Sequence, residues 1–201
     1  MTLVFYSGNH IKILNDFIIN SIWKNKPLIT IIPSDSLSSK SLKFKDKIIS
    51  EFKNFWFEVN YYPVDIWVFD KTIYDKSDVI YLSGWNTETF LSNLYKNWDI
   101  NFLKDFSNKE WKILAWLSAW SIIMTNVISI DNYSRWKWLW LVDFEFYPHY
   151  WDNIEDIPDD IFLKDYSEWS ISKIFAVPND WWIIFSNSKI KLIWEGIKVF
   201  N

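Results

Sequence analysis

Short apolar runs alternate with longer stretches of helical period from one end of the chain to the other. The first run, Thr2–Tyr6, predicts a strand, and apolar residues at helical spacing over 11–22 predict a helix behind it. A buried-type strand follows at 27–32 and is closed by Pro33. Lysines alternate with apolar residues at a helical period over 39–54, before a third strand at 57–62. A fourth strand at 78–82 runs into the turn Ser83-Gly84-Trp85-Asn86. Helices are predicted at 87–95 and 100–106, a central strand at 112–115 and a helix at 121–126. Beyond an apolar run at 142–147 come a helix at 160–165 and short strands at 173–177, 182–186 and 189–193, ending near 198–200. This order predicts an α/β fold with a mainly parallel sheet, whose C-terminal third forms a hairpin-rich edge. No repeat, low-complexity tract or linker interrupts it, so one domain over 1–201 is expected, a length that suits a single well-filled core.

Composition narrows the class. Half of the residues are hydrophobic, as in a globular protein, and the net charge of −4 argues against a general nucleic-acid binder. The absence of cysteine excludes disulfides, thiolate metal sites and a cysteine nucleophile. No basic leader precedes a long apolar run and no stretch of 18 or more apolar residues occurs, so no membrane partner and a cytoplasmic location are expected. The acidic run 152–160 holds no histidine and reads as a solvated face, not a metal site.

One feature is abnormal: 16 tryptophans stand against 3 glycines. Trp181 and Trp182 follow the turn Pro178-Asn179-Asp180, Trp136, Trp138 and Trp140 alternate with other residues, and Trp98 precedes Asp99 where a helix should end. Glycine is the usual residue in such places, because they require positive φ or no Cβ. Some bacteria read UGA as glycine where a common alternative code reads tryptophan, so these tryptophans are expected to be mistranslated glycines. The single arginine, Arg135, among abundant lysine, isoleucine and asparagine fits an AT-rich genome. Taken literally, the tryptophans would instead form an aromatic ligand platform.

The most informative segment is Lys112-Ile-Leu-Ala-Trp-Leu-Ser-Ala-Trp-Ser121, an apolar strand running into a serine. With Trp116 and Trp120 as glycine it becomes Gly-x-Ser-x-Gly, a nucleophile elbow. That spacing keeps the residues two before and two after the serine small, so that strand and helix can approach; two indoles there are expected to clash. The helix after Ser118 would aim backbone N–H groups at a developing oxyanion. Read with tryptophan, Ser118 is a serine in an apolar stretch. With Trp85 as glycine, residues 83–87 form a tight turn whose N–H groups could face the same oxyanion, while Asn86 or Thr87 could cap the next helix. His149 ends an apolar run, downstream of the serine as in hydrolases of this order, and is the expected base. The other histidine, His10, lies in an N-terminal turn and reads as a cap or surface residue. Asp131 is the candidate for orienting the imidazole, with Asp143 and Glu145, taken to share one face of the strand leading to His149, as rivals. Arg135 is the candidate to grip a substrate carboxylate.

Together, Ser-Gly-(Gly)-Asn-Thr, (Gly)-x-Ser-Ala-(Gly) and a later Pro-His-Tyr resemble the peptidase E and cyanophycinase family of serine peptidases, from about Asp78 to the end of the chain. The resemblance implies a three-layer, class I glutamine-amidotransferase-like α/β sandwich in which serine replaces the usual cysteine. It also implies cofactor-free hydrolysis of a peptide bond that follows an aspartyl residue, in a small exopeptidase-like substrate. Ser118 and His149 then carry over as nucleophile and base, and Ala119, Gly84 and Trp85 as oxyanion donors; Asn86 is a further substrate-binding candidate beside Arg135. Asp131 matches only loosely. The chain departs from the family where tryptophan stands at glycine positions, and where Asn179-Asp180 replaces a common Glu-Gly pair. β-Aspartyl peptides are the alternative substrate. A non-catalytic binding module of the same fold is the alternative function, and it requires Ser118 and His149 to lie out of reach of each other.

Overall fold

The computed structural model describes residues 1–8, 11–35, 39–63, 65, 70–83, 87–97, 101–125, 139–150, 159–193 and 196–201. In chain order the elements are β1 (Thr2–Tyr6), α1 (Ile11–Ser21), β2 (Leu28–Pro33), α2 (Ser39–Asn54), β3 (Glu58–Tyr61), α3 (Lys71–Lys76), β4 (Val79–Ser83), α4 (Thr87–Asn97) and α5 (Asn101–Asn108). They continue with β5 (Ile113–Leu117), α6 (Ala119–Ile122), β6 (Glu145–Tyr150), α7 (Asp159–Ser167), β7 (Ile174–Pro178), β8 (Trp182–Ser186), β9 (Lys189–Ile193) and β10 (Lys198–Phe200).

Seven strands form one sheet in the order β3-β2-β4-β5-β1-β8-β9. The first five are mutually parallel; β8 runs antiparallel to β1 and β9 antiparallel to β8. β1, β2, β4 and β5 are mainly apolar runs because both faces are covered, unlike the edge strand β3, and alternation along each strand divides the core in two. Val4, Tyr6, Ile29, Ile31, Val79 and Tyr81 meet Leu14 and Ile18 of α1 and Ile48 and Phe52 of α2. Leu3, Phe5, Ile80, Leu82, Leu114 and Trp116 meet α4 and α5 on the other face, together with Phe146 of β6 and Val177 of β7. This is the expected α/β arrangement, a mixed sheet of mostly parallel strands flanked by helices.

The C-terminal third only partly follows the expected single edge. β8 and β9 do edge the large sheet, joined by Asn187-Ser188 with both residues at positive φ (52° and 58°), the geometry of a two-residue hairpin turn. However, β6, β7 and β10 form a separate three-stranded sheet in the order β10-β7-β6. β6 also begins and ends later than expected, spanning Glu145–Tyr150 instead of 142–147, so His149 lies within a strand. Pro148 is tolerated there because β6 is the edge of its sheet. Helix α3 was not expected; Asp70 caps it, accepting from the Thr72 amide at 2.8 Å and the Thr72 hydroxyl at 2.7 Å. The helix predicted at 121–126 starts earlier, at Ala119.

The tryptophans occupy distinctive positions. Trp23, Trp56, Trp111 and Trp169 are exposed, and each lies two or three residues past the end of a different helix. Trp56 has φ 67°, Trp111 φ 62° and Trp140 φ 48°. After α2 the Trp56 amide donates to the Lys53 carbonyl at 3.0 Å, and the Phe57 amide donates to the Phe52 carbonyl at 3.2 Å. The rings of Phe52 and Phe57 pack edge-on at 5.6 Å. That double bond with its apolar clasp is the Schellman motif, with Trp56 in the left-handed place that glycine normally fills.

Candidate active site

The site forms where β1, β5, β6 and β7 end together. β1 and β5 are adjacent and parallel, so their carboxyl ends emerge side by side, the usual location of a ligand crevice in such sheets. Past β5 the chain turns sharply at Ser118, with φ 56° and ψ −128°. A non-glycine residue in that region is strained, and here neighbours fix it. The Ser118 amide donates to the Tyr6 carbonyl at 2.5 Å, and the Ser118 carbonyl accepts from the Ser121 amide at 2.8 Å. No side-chain capping bond engages the hydroxyl.

The indole of Trp116, expected to clash at the elbow, is instead fully buried in the core, its ring centroid 5.2 Å from that of Phe5. Its N–H finds no partner among the described residues, nor does that of the buried Trp182. The side chain of Trp120 lies outside the described residues.

His149 is turned toward the serine by an irregularity in β6. The register with β7 runs from Pro148↔Val177 to Tyr150↔Pro178, so His149 is bulged out of the ladder with φ 58°. Such a bulge re-aims one side chain. Buried Ser7, one residue past β1, holds it there: its hydroxyl accepts from the His149 amide at 2.7 Å and donates to the Val177 carbonyl at 2.9 Å. The serine therefore ties two strands of the small sheet, β6 and β7, to the end of the large one. Nε2 of His149 is in hydrogen-bond contact with Oγ of Ser118. The two residues singled out from sequence as nucleophile and base are thus brought together, and the separation that a non-catalytic module would require is absent.

The opposite ring nitrogen has an unexpected partner. Nδ1 of His149 lies 2.5 Å from Oδ1 of Asn179, a residue the sequence reading did not select. Asn179 follows β7 in a tight turn closed by the Trp181 amide on the Pro178 carbonyl at 3.3 Å, with Asp180 at φ 69°. The turn is pressed against the end of β1: the Ser7 amide donates to the Trp181 carbonyl at 3.0 Å. A Cβ added to Gly8 would come within 2.3 Å of the Asp180 amide nitrogen, so glycine is required at that point. The turn signal Pro178-Asn179-Asp180 was visible in the sequence. Its proximity to His149 was not, because it depends on the parallel pairing of β6 with β7.

Neither rival carboxylate reaches the imidazole. Asp143 is exposed and precedes β6, so strand alternation does not carry it to the face of Glu145. Glu145 is buried, accepting from the Tyr166 hydroxyl at 2.9 Å and the Ser170 hydroxyl at 2.5 Å, and burial pushes its carboxyl above the usual range. Asp131, Gly84, Trp85, Asn86 and Arg135 lie outside the described residues, as does the side chain of Ala119. Burial, then the neighbouring Tyr81, Asp180 and Glu51, push the Tyr6 phenol far above its ordinary range, so it stays neutral behind the site. No group of three or more metal-ligating side chains occurs among the described residues, and no described helix is long and apolar enough to cross a membrane.

Comparisons with known proteins agree with this fold. The fold resembles a candidate peptidase E protein from Listeria monocytogenes EGD-e, with a TM-score of 0.69 and 20% identity, over 96% of this chain and 98% of that one. It also resembles a peptidase from an acI-B1 Actinobacterium, with a TM-score of 0.65 and 13% identity, over 99% and 90% of the two chains. No curated protein matches at the level of sequence. The model of peptidase family S51 matches residues 4–193, nearly the whole chain. The chain therefore belongs to peptidase family S51 and is a serine-type peptidase.

Proposed function

We propose that this peptidase cleaves short peptides, chiefly dipeptides with N-terminal aspartate, through an acyl-enzyme on Ser118. The contact between Ser118 Oγ and His149 Nε2 at a strained strand-to-helix turn carries the reading. In the first step Oγ bonds to the scissile carbonyl carbon while its proton passes to Nε2. The C–N bond then breaks and the imidazolium returns that proton to the departing amine. Water, deprotonated by the same nitrogen, attacks the ester and releases the acid with the serine restored. A base in this position contributes roughly 10²–10⁴-fold.

The backbone N–H of Ala119, next to the nucleophile, is the first candidate oxyanion donor. Gly84 and Trp85 are the others, because β4, the strand that leads to them, pairs with β5 up to Leu82↔Trp116. Arg135, as the single arginine, is the candidate for holding the aspartyl carboxylate, and Asn86 is a further substrate-binding candidate. The steps use side chains and backbone alone.

A panel of Asp-X dipeptides tests this, with the unaltered chain beside Ser118→Ala. Cleavage that the variant lacks supports both the nucleophile and the substrate class. Cleavage of β-aspartyl peptides alone would replace the substrate assignment, and equal activity in the variant would remove Ser118 from the mechanism.

A further inference from the structure

We propose that Asn179 is the positioning residue for His149, so that a neutral amide, not a carboxylate, selects the tautomer of the base; this rests on Ser118 and His149 acting as nucleophile and base. A neutral imidazole has one N–H and one acceptor nitrogen. Oδ1 of Asn179, 2.5 Å from Nδ1, accepts a hydrogen bond and holds the proton there. Nε2 is left with its lone pair toward the serine hydroxyl, the form a base requires. The bulge and Ser7 fix the backbone of His149 but leave the ring free to rotate about its side-chain bonds; Asn179 supplies the missing constraint. Its own position is over-determined by the Pro178–Trp181 turn, the Ser7 amide and the close approach of Gly8. Of the described carboxylates weighed for this task, Glu145 is occupied by Tyr166 and Ser170 and Asp143 is exposed.

The test is the tautomer itself, read from imidazole nitrogen shifts of the ¹⁵N-labelled full chain. The chain has two histidines, and His10→Gln assigns the signals. The unaltered protein and Asn179→Asp should both show His149 protonated at Nδ1. Asn179→Leu, which removes the acceptor, should show a mixture or the other tautomer, and its kcat should fall about a hundredfold or more with little change in KM. If the leucine variant does not fold, Asn179→Ala gives the same reading. An unchanged tautomer in the variant without an acceptor would overturn the assignment. Because the nitrogen shifts do not depend on turnover, a wrong substrate or a wrong nucleophile cannot be mistaken for that result.

A separate observation carries a second inference: the working protein has glycine where tryptophan stands at 56, 111 and 140. Bulky side chains are genuine outliers at positive φ, yet these three adopt φ of 67°, 62° and 48°. Trp56 occupies the glycine place of a complete Schellman motif, and Trp111 the left-handed position of the turn closed by Lys112 on Lys109 at 3.4 Å. The decisive measurement is the fragment-ion series of the tryptic peptide 54–71, which separates position 56 from Trp67, in protein made by its own cells. A series with glycine at 56 is expected; a series with tryptophan there overturns the inference.

Discussion

Two regions of this molecule hold non-glycine residues in left-handed backbone, for different reasons. At the edge that carries the candidate site Ser118, His149 and Asp180 have φ of 56°, 58° and 69°. Each is secured by bonds that cross between elements: Ser118 to Tyr6, His149 to Ser7, and the Asp180 turn to Ser7 through Trp181. After the helices, Trp56 and Trp111 have φ of 67° and 62° with their indoles exposed. Their hydrogen bonds are local, and the side chains add no packing that could offset the strain. Strain at the first region aims the side chains of the proposed site; at the second it marks positions where the chain reverses and no side chain is wanted.

Substitutions can break this comparison, starting with the largest effect. Ser118→Ala should lower peptide hydrolysis by at least about a thousandfold while the thermal midpoint stays close to that of the parent. A midpoint that falls steeply with the activity would mean that the elbow serine is structural. Gly8→Ala should drive the Asp180 turn away from β1, costing about 1–3 kcal/mol of stability and misplacing Asn179. Chemical denaturation beside kcat would read both effects, and an unperturbed variant would show that the close approach is not needed.

Trp56→Gly acts at the other region and should have the opposite sign. Relief of left-handed strain at an exposed residue should stabilise the fold by about 1 kcal/mol, measured by the same denaturation. A loss of stability would indicate that the indole packs usefully. The smallest effect is expected at Glu145→Gln. Burial raises the Glu145 carboxyl above its unfolded value. Its contribution is therefore fully present below the ordinary carboxylate range and is lost as pH rises through the raised value. The glutamine variant should show a flatter stability profile across that window, and parallel profiles would contradict the assignment.

How much was legible in the sequence follows the same division between local and distant causes. The inner strands of the large sheet were predictable from their apolar runs, because burial on both faces imposes a simple pattern. Ser118 and His149 were legible because an elbow and a lone downstream histidine are local signals. The separate small sheet was not, since the short runs at 173–177 and 198–200 look alike in whichever sheet they pair. Asn179 escaped for a related reason. Nothing within its turn states that β7 lies parallel to β6, and an amide is not the side chain that ordinarily orients a catalytic imidazole. Ser7 carries no signal beyond following a strand, although it is the residue that joins the two sheets at the site.

The central claim, that His149 activates Ser118 as a nucleophile, is tested most directly by a fluorophosphonate probe followed by peptide mass analysis. The account predicts one adduct, on the peptide carrying Ser118, formed by the unaltered chain and lost in both Ser118→Ala and His149→Gln. Labelling that persists in His149→Gln at the parent rate, or that falls on another residue, would contradict it.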